Sequence, residues 1–174
     1  MITNRHLYLA LWFAFAACQP KVQVESSEAP FVGTWDLLSI HTRWPDGRVT
    51  EPWGSTPIGR LTYSADARMS AQLMDERRNQ ADGRDVVAEV LPNVASYYGT
   101  YSVDTGRRVV IHHVVASLRR NESGTLERRY ELRGDTLVLA ADALFQGAQV
   151  THNLYWRRAA APNRKSSVQR PNSR

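Results

Sequence analysis

Two adjacent histidines, one arginine among apolar neighbours and a solitary cysteine are the residues of this chain whose types could do chemistry. His112 and His113 lie in the β-branched run Arg107 to Leu118, where successive side chains point to opposite faces, so the pair cannot chelate one metal ion as neighbours. His113 falls in line with Val109, Ile111 and Val115, and His112 with Val110, Val114 and Ala116. Both faces are apolar, so alternation leaves open which histidine is interior. Each ring is either a hydrogen-bonded structural group or an acid/base in a pocket. His41 and His152 add no His-x-His or acid-spaced ligand pattern, so no metal is expected, and none of the motifs implies a cofactor.

Arg128 is the sharper observation. It shares a strand face with Leu126, Tyr130 and Leu132, while Thr125, Glu127, Arg129, Glu131 and Arg133 form the opposite, polar face. A guanidinium among core-facing residues is costly unless it meets an acid, a ring or an anionic ligand, or packs its stem and keeps its head in water. Glu51, in a Pro-flanked connection, is the candidate acid. The sequence has no Gly-rich phosphate loop after a strand, no Gly-x-Ser-x-Gly and no His-Glu-x-x-His.

Short runs separated by turn chemistry must position these groups. Strand character is read at Val32–Trp44, Arg48–Trp53, Ile58–Ser64, Arg68–Met74, Ser96–Val103, Arg107–Leu118, Thr125–Arg133, Thr136–Ala140 and Gln149–Arg158. Turns punctuate them at Pro45-Asp46-Gly47, Ala65-Asp66-Ala67, Asp104-Thr105-Gly106, Asn121-Glu122-Ser123-Gly124 and Gly134-Asp135. Asp85 to Leu91 has helical spacing with an Asp cap, and Pro92 stops it. With the Pro52-interrupted run counted as an edge or connection, about eight antiparallel strands and one short helix remain, enough to close a small all-β barrel around side chains or one small ligand.

The 174 residues carry a formal charge of +5. Arg164, Lys165, Arg170 and Arg174 in the acid-free stretch 159–174, together with Arg5, account for all of it. A formally neutral body offers no continuous basic face, so nucleic acid is not an expected partner, and 159–174 reads as a disordered basic tail. Met1 to Ala17 reads as a signal peptide, with Arg5 ahead of the apolar run Leu7 to Ala17, which is too short to span a bilayer. Cys18 is the only cysteine and cannot form an intramolecular disulfide. Residues 18–30 begin with that cysteine and continue as a polar, Pro-bounded flexible tether, and 31–158 form the folded domain.

Two resemblances follow from particular residues. Phe15-Ala16-Ala17-Cys18 resembles the lipobox of bacterial lipoproteins, although Phe15 stands where an aliphatic residue is usual. That resemblance implies acylation of Cys18, a membrane anchor and, because Gln19 rather than Asp follows, an outer-membrane lipoprotein facing the periplasm. The domain resembles the bacterial lipocalin-like family through Gly33-Thr34-Trp35, Asp46-Gly47 with Thr50 to Gly54, Gly59-Arg60-Leu61-Thr62-Tyr63, Met69 to Met74, Tyr98-Gly99-Thr100-Tyr101, His112-His113-Val114 with Ser117-Leu118, and Leu154-Tyr155-Trp156-Arg157-Arg158. It implies an up-and-down barrel with a pocket at one end. At the other, Arg157 or Arg158 would pack over Trp35 beside Gly33 as a plug. The expected function is binding or carriage of a small, largely apolar molecule at the cell envelope, with Tyr101, His112, His113 and Arg128 as candidate ligand-binding residues. The alternatives are an isomerase, cyclase or hydrolase using His112 or His113 as acid/base with Arg128 or Tyr101 steadying negative charge, and a filled barrel serving as a scaffold.

Overall fold

Alternating inward and outward side chains line a barrel closed by eight antiparallel strands, with a ninth, very short strand at its edge. The computed structural model describes residues 26–75, 94–119 and 123–161. Its strands are β1 (Gly33–Arg43), β2 (Val49–Thr50), β3 (Ile58–Tyr63), β4 (Arg68–Met74), β5 (Val94–Asp104), β6 (Val109–Ser117), β7 (Gly124–Arg133), β8 (Thr136–Phe145) and β9 (Ala148–Arg158). Around a single sheet β1 pairs with β3, and β3 to β9 then follow one another in chain order; β1 also pairs with β9, from Trp35↔Arg158 to Arg43↔Thr151, which shuts the barrel. The two-residue β2 pairs only with Thr42 and Arg43, so eight strands make the wall. The segment Asp85–Leu91, expected as a helix, lies outside the described residues, as do residues 1–25 with Cys18 and the tail from 162 onward.

The inward set is the apolar alternation of the sequence. Leu61 and Tyr63 of β3, Met69, Ala71 and Leu73 of β4, Val110, His112 and Val114 of β6, and Leu137 and Leu139 of β8 are all buried. Two bulges break that alternation. On β1, Leu37 faces Trp156 and Ser39 faces Tyr155, leaving Leu38 as the extra residue, so burial passes from Trp35 and Leu37 to Ile40 and Thr42. On β6, Tyr98 faces Ala116 and Gly99 faces Val114, leaving Val115 over. Both extra residues point outward, as bulged residues do when the strand bends around a barrel corner. Gly99 is required there, because a Cβ on it would stand 2.0 Å from the His113 carbonyl oxygen.

Strand β8 runs five residues beyond the expected Thr136–Ala140, to Phe145. Its last residues are stabilised by pairing with β9 rather than by their own alternation, through a hairpin that turns at Gln146 and Gly147 with φ of 50° and 79°. The Arg48–Trp53 run contributes only Val49–Thr50 as strand.

One end of the barrel is filled. Trp35, with no solvent exposure, donates its indole N–H to the Phe31 carbonyl at 2.8 Å. Arg158 lies 4.1 Å over the Trp35 ring, whereas Arg157 is exposed on the outer face. The Arg158 guanidinium also donates to the carbonyls of Val32 (2.8 Å) and Pro30 (2.7 Å). Gly33, at φ 138°, makes room for it, since a Cβ there would come within 2.8 Å of Arg158 Nη1. A guanidinium on an indole face contributes about 0.5–2 kcal/mol while covering a large apolar ring. The 3-10 turn Ala29–Phe31 completes the plug by setting Phe31 edge-on against Tyr130 (4.9 Å) and Tyr63 (6.3 Å). Trp35→Ala should lower the unfolding free energy in urea by about 3–5 kcal/mol, the cost of truncating a core aromatic; a loss below about 1 kcal/mol would contradict this packing.

Candidate functional site

Above the plug, the side chains directed inward become smaller and the barrel opens. A cavity of about 630 Å³ occupies this half, with Ile40, Leu73, Ala95, Ala141 and Leu154 among its apolar lining. Trp44, Trp53 and Phe145 form an aromatic rim, and Tyr97, His152, Arg48, Arg119 and Arg128 supply polar atoms. The rim is held by specific contacts. The Trp44 indole N–H donates to Thr50 Oγ1 at 2.9 Å, Arg48 lies 4.3 Å over the Trp44 ring, and Arg119 lies 5.7 Å over Trp53. The short β1/β2 hairpin therefore supplies one side of the mouth and the end of β6 another.

His112 is buried below this cavity, with 1% exposure, between two phenols. Tyr63 Oη lies 2.6 Å from Nε2 and Tyr97 Oη 3.1 Å from Nδ1. Burial, aided by the nearby Arg128 charge and by His113, pushes the imidazole pKa down to about 3. The same burial pushes the Tyr63 hydroxyl well above its ordinary value. His112 and Tyr63 are thus neutral near pH 7, and a neutral imidazole, with one N–H and one bare nitrogen, matches two hydroxyl neighbours. Tyr97 belongs both to this chain and to the cavity wall.

The candidate residues separate in space. Arg128 lines the cavity. His113 is exposed on the outer face, where Nε2 lies 3.3 Å from Ser102 Oγ, because its parity is opposite to that of His112. Tyr101 is directed inward but towards the plugged end, donating to the Ser64 carbonyl at 3.3 Å and meeting the Tyr63 ring at a tilt, with centroids 4.4 Å apart. Neither is among the cavity-lining residues, and His112 is screened behind Tyr97. Glu51 pairs with His41 at 3.3 Å instead of Arg128, because it directly follows β2, whose Thr50 faces Thr42 on the β1 edge. Arg128 donates to the Glu127 carbonyl at 3.0 Å, and no carboxylate among the described residues pairs with it.

Other lining residues were not singled out by the sequence pattern. His152 alternates with Val150, Leu154 and Trp156, a signal for an inward ring, and its Nδ1 lies 2.8 Å from the buried Thr42 Oγ1. Burial, with Arg128 and Arg119 adding repulsion, lowers its pKa. Tyr97 alternates with Ala95 and Tyr101 and was equally legible. Arg119, Trp44 and Trp53 lie at strand ends or in connections, where alternation carries no information. Among the described residues no group of three or more His, Cys, Asp and Glu could hold a metal ion.

A histidine with a depressed folded-state pKa leaves the unfolded chain binding more protons between about pH 3 and the ordinary value near 6.5, so stability falls as pH falls through that window. Between pH 6.5 and 4 the parent should lose about 3 kcal/mol more unfolding free energy than His112→Gln, at 1.36 kcal/mol per pH unit. Chemical denaturation at a series of pH values measures this difference, and equal slopes would place His112 in a solvated setting.

A family model described as a lipocalin-like domain matches residues 32–159. No curated protein matches the chain.

Proposed function

The chain belongs to the lipocalin-like domain family, and from that premise we propose that it binds or carries one small, largely apolar molecule in the open half of the barrel. The observation that carries this reading is the cavity of about 630 Å³, whose walls are aliphatic and whose rim is aromatic. Sites for small molecules have this character, roughly 300–1,000 Å³ with a few placed polar groups among apolar ones. A fully packed scaffold barrel fits such a void poorly. Catalysis is less supported than carriage, since His112 is enclosed and neutral, His113 faces outward, and no carboxylate among the described residues lines the cavity beside Arg128 and His152.

Native mass spectrometry of the protein purified from its own host should show a retained small molecule. Ala141→Phe, which fills the cavity from a buried wall position, should lower that occupancy at least about tenfold while the circular dichroism spectrum is kept. Equal occupancy in the variant would place the ligand elsewhere, and an empty parent that also fails to bind apolar dyes would remove the carrier reading.

We further propose that the barrel is held at the cell envelope, facing the periplasm from the outer membrane, by acylated Cys18. Support comes from the short apolar leader, the small residues before the single cysteine, Gln19 after it and the polar stretch that precedes the barrel. Several acyl chains, each buried CH₂ contributing about 0.8 kcal/mol, make such an anchor durable. Cys18→Ser should abolish incorporation of labelled palmitate and move the protein from the membrane pellet to the soluble fraction; retention of both would sink the anchor.

A further inference from the structure

The charged side chains lining the cavity, among the described residues, are of one sign: Arg48, Arg119 and Arg128, with no Asp or Glu. They differ in setting. Arg48 is a rim residue whose Nε lies 3.6 Å from Asp46, and Arg119 covers Trp53. Arg128 is different, because it projects from the middle of β7 at an inward position beside the buried Val110. It is only half exposed, and the one hydrogen bond it makes is to its neighbour's carbonyl. A guanidinium carries five N–H donors in a fixed fork that matches an oxyanion, and here most of that fork is unused by protein.

Its charge is felt by the neighbouring rings: burial first, and Arg128 second, oppose protonation of His112 and of His152, while at Tyr63 burial outweighs the same charge and keeps the hydroxyl protonated. The aliphatic wall of Ile40, Leu73 and Leu154 accounts for an apolar body but leaves the arginine unexplained. An uncompensated cation facing a semi-enclosed apolar space is unfavourable in the empty barrel and favourable once an anion enters, because the low dielectric strengthens the pair.

We infer that the ligand is an anionic amphiphile, whose apolar body lies against the aliphatic wall and whose carboxylate or similar oxyanion is received by Arg128. This rests on the carrier reading above and narrows it to one head-group class.

The test uses the full-length chain, a neutral fluorescent probe, N-phenyl-1-naphthylamine, and competitors of one chain length: dodecanoate, dodecanol and dodecyltrimethylammonium. Near neutral pH, dodecanoate should displace the probe at about a tenfold or more lower concentration than dodecanol, the effect of one charge-assisted hydrogen-bonded contact. The cationic analogue should be no better than dodecanol. The ratio of dodecanoate to dodecanol should collapse towards one in Arg128→Gln and be partly kept in Arg128→Lys. A parent ratio near one, or one favouring dodecanol, overturns the inference while leaving the carrier reading intact, and it decides the matter even where a variant does not fold. A ratio that persists in Arg128→Gln overturns the assignment to Arg128. Absence of saturable probe binding in the parent removes the carrier reading and this inference together.

Discussion

The pairing of β1 with β9 is the constraint on which the rest of the molecule depends. Every strand between them forms ladders with neighbours along the sheet, but only this contact, from Trp35↔Arg158 to Arg43↔Thr151, turns a curled sheet into a vessel with an inside. Arg158 reinforces it at the point of greatest consequence. One guanidinium covers the Trp35 indole, holds the carbonyls of Pro30 and Val32 and reaches towards Asp135 at 3.4 Å, so it joins the entering turn, the first strand and the β7–β8 turn. Charge here serves packing.

Once the wall is closed, its interior volume is divided by side-chain size along the axis. Trp35, Trp156, Tyr63, Leu61 and Leu137 fill one half with almost no exposure, while Ala95 and Ala141 stand in the wall of the other. Between the halves the Tyr63–His112–Tyr97 chain pairs three polar groups with one another, the condition under which buried polar groups rigidify a core rather than weaken it. The filled half fixes the positions of the strands, and the open half is thereby shaped without needing to be packed. Arg128 and His152 take their inward positions from strands whose register is set below them.

Much of the fold was legible in the sequence because period-2 alternation is a local signal. Gly59, Leu61 and Tyr63, or Met69, Ala71 and Leu73, announce a core face without reference to any other part of the chain. Arg128 was legible for the same reason, as the exception within such a series. What alternation cannot convey is a change of phase. The bulge at Leu38 moves Ile40 and Thr42 inward, and the contact of Thr42 with His152 depends on that shift. His112 and His113 were indistinguishable because both faces of β6 are apolar, and only closure of the sheet gives one of them an interior. The rim residues Trp44, Trp53 and Arg119 sit in connections, where position comes from tertiary contacts rather than from a repeat.

The closing ladder also joins parts of the chain that are far apart in sequence: Thr42 and His152, in hydrogen-bond contact, are separated by 110 residues. Long-range pairing of this kind is slow to form, since distant segments must be brought together before their contacts return any free energy. A chain emerging from its N-terminus has no partner for the free side of β1 until Ala148–Arg158 has appeared. Until then β1 and β8 are open edges of the type to which other chains add. Trp35 lacks its cover and the cavity has no far wall over the same interval, so plug and vessel are acquired together, once β9 has been made.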